Sequence, residues 1–158
     1  MSNSEKPIKT RRVAERRKVR YKSLDNLLYD AERLASMQVR TLGNWSQGEI
    51  YSHVAKSLDA CIDGSRALPT TLRWVLSTFL KNRYLNQGVP AGFKASDEFQ
   101  PNEVSVAEGL GELRKAIQRQ KNTTDRTMHP AFGNITSAEW DSFNLRHAEM
   151  HMSFLLED

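Results

Sequence analysis

Apolar residues along this chain fall into stripes spaced for helices, and polar residues mark where each stripe begins. Leu24, Leu27, Leu28, Ala31, Leu34 and Ala35 recur at three- and four-residue intervals behind Ser23, whose hydroxyl suits a helix cap. This first helix is expected to end before Gly43, with Trp45 in the loop that follows. Three later stripes open on one local device. Ser46 with Glu49, Ser105 with Glu108 and Thr136 with Glu139 each fit a capping box. In that motif a hydroxyl takes the backbone donor three residues on, and the glutamate returns to the cap's own donor.

Behind Ser46 run Ile50, His53, Val54, Ser57, Leu58, Cys61 and Ile62, stopped by Gly64. Behind Ser105 run Val106, Leu110, Leu113, Ala116 and Ile117, fading at Asn122. Behind Thr136 run Trp140, Phe143, His147, Met150, His151, Phe154 and Leu155, a helix expected to reach nearly to the C-terminus. A further stripe, Leu72, Val75, Leu76, Phe79 and Leu80, follows Pro69 and closes near Gly88, after which residues 88–101 read as loop. The order predicts an all-α fold: a four-helix bundle with one long helical crossover and no strand. Trp45, Trp74, Trp140, Phe79, Phe143 and Phe154 are expected in the core.

Composition narrows the class. A chain of 158 residues with 39% apolar content is long enough to bury a core as one domain. No apolar run approaches the ~20 residues of a membrane span, and a cytoplasmic location is the expectation. Cys61 is the one cysteine, which excludes an internal disulfide and a thiolate metal cage. It is expected to be a small buried hydrophobe.

The formal charge of +4 is unevenly spread. Residues 1–22 hold nine basic and two acidic groups, a net of +7, which leaves −3 for the other 136 residues. Residues 1–20 therefore read as a basic, flexible arm, and residues 21–158 as the bundle domain. Within the arm, residues 16–21 are suited to lie extended against the body, with Val19 and Tyr21 on one side. An acidic body and an arm whose sole aromatic is Tyr21 argue against nucleic acid as the partner.

Three of the four histidines stand on otherwise apolar stripes. His147 and His151, four apart, share one helix face within about 6 Å. His53 lies one turn into its own helix. If those two helices are neighbours, three imidazoles converge, and such a set leaves coordination positions for water or substrate. Imidazole ligation suits zinc, nickel, iron or copper alike. The same spacing also accommodates three separate core or half-exposed histidines bonded to neighbours. Glu149 follows His147 by two residues, which turns it about 200° away and predicts a solvent-facing side chain. The segment is not the metalloprotease motif, in which the glutamate directly follows the first histidine.

The stretch Trp45-Ser46-Gln47-Gly48-Glu49-Ile50-Tyr51-Ser52-His53-Val54 resembles the second-helix signature of the DinB-like superfamily, and His147-x-x-x-His151 is similar to its last-helix pair. His129-Pro130-Ala131-Phe132-Gly133 ahead of Trp140 resembles an uncharacterised bacterial branch with a His-Pro-x-Phe-Gly turn before the final helix. The resemblance implies a four-helix bundle in which His53, His147 and His151 hold one divalent transition metal, zinc, nickel or iron. Some relatives are thiol S-transferases or thiol-dependent isomerases using low-molecular-weight thiols, and others resemble hydrolases.

His129 has two readings: a general base or extra ligand at the mouth of the site, or a turn residue whose ring packs on Phe132. Ser57 and Asn144, four after His53 and three before His147, are placed to contact a metal-bound water or to be plain helix polarity. The functional expectation is a metal-dependent enzyme activating water or a thiol, of hydrolase or thiol-transferase type, on an unknown small molecule. The alternative is a non-catalytic metal-binding or stress-related interaction module, marked by a site closed with His129 as fourth ligand. Pairing of bundle faces into a homodimer is compatible with either, and no residue specifies an interface.

Overall fold

A computed structural model describes residues 7–101 and 103–158. Helices α1 (Leu24–Ala35), α2 (Gln47–Asp63), α5 (Val106–Asn122) and α6 (Ser137–Met152) form the bundle. Two shorter helices, α3 (Thr70–Phe79) and α4 (Lys81–Gln87), make the crossover between α2 and α5. All three capping boxes are present with both of their hydrogen bonds. Leu27, Leu34, Tyr51, Leu58, Leu113, Ile117 and Met152 are fully enclosed among the bundle helices, with Trp140 and Phe154 also buried. Among the described residues no helix is long and apolar enough to cross a membrane.

The α2–α5 crossing is set by two glycines. A Cβ on Gly109 would stand 2.2 Å from the Gly48 carbonyl oxygen, and one on Gly48 would stand 2.4 Å from that of Val104. Helix backbones approach this closely only where neither side carries a side chain. The close approach sits within the first turn of both helices, next to both capping boxes.

The structure corrects the sequence reading in four places. The last helix stops at Met152, and Leu155–Glu157 forms a strand, β2, that pairs antiparallel with β1 (Val39–Thr41) in the register Val39↔Glu157, Arg40↔Leu156, Thr41↔Leu155. The fold is thus mostly helical with one small two-stranded sheet. Second, α1 ends at Ala35, before Gly43 as expected, but the chain between them holds the strand β1 where none was expected. Third, Trp74 and Phe79 are not core: they are 66% and 69% exposed, and no residue of α3 is buried. Fourth, Glu149 does not face solvent. It is buried and accepts the Tyr21 backbone N–H at 2.6 Å and the Arg146 guanidinium at 2.7 Å.

That last pair of bonds shows where the basic segment before α1 goes. Residues 1–6 of the arm lie outside the described residues. Further on, the Arg17 N–H donates to the Ser153 carbonyl, and its guanidinium makes two bonds to the Asp30 carboxylate at 2.8 and 2.5 Å. Tyr21 is buried and donates its hydroxyl to Asp30, and Val19 packs against the core. The segment lies in a groove between α1 and α6, so α6 is covered on two sides.

Candidate metal centre

Helix α2 presents His53 from its second turn, and α6 presents His147 and His151 from its last two turns. One ring nitrogen from each lies within 4.8 Å of the others. The Nε2 atoms of His147 and His151 are 3.1 Å apart. Ring centroids lie 5.2 Å apart for His53 and His147, and 4.3 Å for His53 and His151. The sequence-expected set therefore converges on one point, close enough to hold a metal ion.

Each ring is oriented by a neighbour. His53 Nδ1 is 2.8 Å from the Phe99 carbonyl oxygen, which can only accept, so Nδ1 carries the proton. This leaves the lone pair on Nε2, which is buried and has no hydrogen-bond partner. Trp45 stacks on His151 at 5.5 Å and leans on His53 at 4.7 Å, while Phe143 lies parallel to His147 at 5.8 Å. Burial lowers the pKa of His53, partly countered by the Phe99 carbonyl and reinforced by Lys56. Burial also brings His147 down to about 3, helped by His53 and His129, and holds His151 well below its ordinary value, helped by His147 and His53. All three are neutral at pH 7, the form that ligates metal.

The donor set fits a divalent transition ion. An unpartnered buried ring nitrogen costs free energy that an ion would recover. A tetrahedral zinc with nitrogens at ~2.05 Å needs ligand atoms about 3.3 Å apart, close to the 3.1 Å between His147 and His151. Three neutral imidazoles leave the ion's charge intact and at least one coordination position unfilled.

The remaining residues singled out from the sequence lie as follows. His129 is outside the set and 2% exposed. Its Nδ1 accepts the backbone N–H groups of Ala131 and Phe132, both at 3.1 Å, and its ring stacks on Phe132 at 4.6 Å. Trp140 and Phe143 close the other sides, and burial takes its pKa to about 3. That is the turn-packing arrangement, and it places no solvent-reachable base at the mouth of the cluster. Ser57 donates to the main-chain carbonyl of His53 at 3.1 Å, touching the helix and not the ring. Asn144 is buried and donates to Gln120 at 3.3 Å. Cys61 is buried, and burial pushes its thiol pKa up.

Sequence reasoning missed the Phe99 carbonyl. It acts through the backbone, 46 residues from His53, so no side-chain signal could reveal it. Beside the cluster a cavity of about 430 Å³ opens between the loop after α4 and the end of α6, with Trp45 and His151 in its wall.

No match to this chain emerges among curated proteins or among solved structures. A family model described as "Protein of unknown function (DUF1569)" matches residues 13–158, from the segment that covers α6 through the whole bundle, and the chain belongs to that family.

Proposed function

We propose that the protein is a metal-dependent enzyme of DinB-like type, in which His53, His147 and His151 hold one divalent transition metal, zinc, nickel or iron. When bound, such an ion supplies Lewis acidity that brings a water or a low-molecular-weight thiol to its anionic form near neutral pH. The reaction class is then hydrolysis or thiol transfer. The rest is work of the protein's own side chains. The Phe99 carbonyl holds the His53 proton on Nδ1 and aims Nε2 inward. Trp45 and Phe143 keep the two α6 rings from turning away. The burial of the cluster keeps all three imidazoles unprotonated.

The observation that carries this reading is the convergence of three neutral ring nitrogens, one of them buried and without a partner. The alternative of a coordinatively closed, non-catalytic site needs a fourth protein ligand. His129 is not within the set: its Nδ1 accepts two backbone N–H groups, which puts the ring proton on the buried, unpartnered Nε2 and leaves no lone pair for an ion.

The test is metal content by mass spectrometry on protein purified without a histidine tag or nickel column. It is run beside a His147→Ala, His151→Ala variant whose fold is checked by circular dichroism. Near-stoichiometric zinc, nickel or iron that disappears in the folded variant is the expected result. A protein that holds no metal and takes up none from added divalent salts overturns the reading.

A further inference from the structure

The cavity next to the histidines has walls of one chemical character. Trp45, Ile50, Ala91, Phe93, Met150 and Phe154 stand in its lining, and its surface is mostly apolar. The polar side chains in the lining are largely committed elsewhere. Asn44 uses both ends of its amide on Ile8, accepting the N–H at 2.7 Å and donating to the carbonyl at 2.9 Å. The Gln100 amide donates to the Ala95 carbonyl at 2.9 Å. Lys94 is the one formally charged side chain among the described residues of the lining, and it is exposed. No carboxylate lines the space among the described residues. His151, a member of the three-histidine cluster, is part of the same lining.

Such walls select by solvation. An apolar guest is stabilised in proportion to the area it hides from water. A zwitterion or a polyanion entering the same space gives up hydration and finds no guanidinium or carboxylate partner and one ammonium, the exposed Lys94, a loss larger than packing against the walls returns. A volume of about 430 Å³ is within the range of small-molecule sites. We infer that the ligand of this site is a small molecule with a neutral aromatic or short alkyl body, which lies in this cavity and carries a single metal-seeking head group toward His151. The head-group part rests on the proposed metal centre. The apolar-body part rests on the cavity alone.

A homologous series separates the two. Straight-chain hydroxamates from acetohydroxamate to octanohydroxamate are titrated calorimetrically into zinc-loaded protein, alongside the eight-carbon hydroxamate that ends in a carboxylate. The expected result is binding about three- to fourfold tighter per added methylene until the cavity is filled, with the carboxylate-ended compound at least tenfold weaker than octanohydroxamate. Ala95→Trp, which fills the cavity from a partly exposed loop position, should flatten the series while acetohydroxamate binds as before. A flat series in the unmodified protein, or equal affinity for the two eight-carbon compounds, overturns the inference.

If the protein takes up no zinc, the metal reading fails by itself and the cavity is read with the neutral dye N-phenyl-1-naphthylamine on metal-free protein. Enhanced fluorescence that Ala95→Trp abolishes, and that a Trp74→Ser, Phe79→Ser variant retains, supports the apolar site. Fluorescence undiminished in Ala95→Trp overturns it.

Discussion

The carbonyl oxygen of Phe99 and Nδ1 of His53 stand 2.8 Å apart, and that single bond decides which ring nitrogen of His53 faces the other two histidines. A carbonyl has no proton to give, so His53 is held as the Nδ1–H tautomer with Nε2 free. The nitrogen chemical shifts of His53 in metal-free protein should report that tautomer at neutral pH. Finding the proton on Nε2 instead would remove the basis for its orientation as a ligand.

Asp30 sets an acid limit on the fold. Burial alone would raise its pKa, but bonds from Arg17, Tyr21 and Arg33 outweigh this and hold it below the ordinary aspartate value. A depressed folded-state pKa gives stability that is present above the unfolded value, about 4, and is lost as pH falls through the folded value. Asp30→Asn should cost about 3 kcal/mol at neutral pH, with the difference from the unmodified protein shrinking below pH ~4. Urea unfolding between pH 3 and 7 measures both.

Gly109→Ala should be among the more damaging small substitutions. Its Cβ would meet the Gly48 carbonyl, backbone that cannot swing aside. A loss of about 2–3 kcal/mol is expected from the forced separation of α2 and α5. Gly111→Ala, two residues on and with nothing near its added Cβ, should be neutral or slightly stabilising by helix propensity. Paired chemical denaturation curves separate the two; equal effects would contradict the close crossing.

Replacing His129 tests its place in the turn before α6. His129→Ala strips the acceptor from two backbone N–H groups and opens a gap among Phe132, Trp140 and Phe143. A loss of about 3 kcal/mol is expected, while the folded fraction keeps whatever metal the unmodified protein binds. Loss of metal without loss of stability would instead make it a ligand.

Trp74 and Phe79 should tolerate polar replacement. Trp74→Ser with Phe79→Ser should change unfolding free energy by less than about 1 kcal/mol, far from the roughly 3–5 kcal/mol each that a core aromatic would cost. Thermal or urea melts decide it.

The reach of the sequence follows the range of the interactions involved. Capping boxes are three-residue affairs, so Ser46, Ser105 and Thr136 announced their helices without any knowledge of the fold. The histidine cluster was readable because i, i+4 spacing puts His147 beside His151 whatever surrounds them, and one further histidine occupied a helix stripe. The β1–β2 pair was not readable. Its strands are three residues long and more than 110 residues apart, and Leu155 continues a helical stripe as well as it fits a strand. Periodicity showed that α3 is a helix but could not show whether anything lies over its stripe. Glu149 was misplaced because the spacing argument assumes one buried face per helix, and the Arg17–Tyr21 segment gives α6 a second. The Phe99 carbonyl lay beyond reach, since a main-chain acceptor leaves no trace in residue type.

The three histidines come from helices far apart in sequence, His53 from α2 and the pair His147 and His151 from α6. During synthesis α1, α2 and α5 can emerge and begin to pair while the cluster is still short of two members. The ring of His53 then meets Trp45 and the Phe99 carbonyl but neither of the other two imidazoles. The site comes into being only when α6 docks beside α2, so any chemistry it performs requires the packed bundle and not either helix alone.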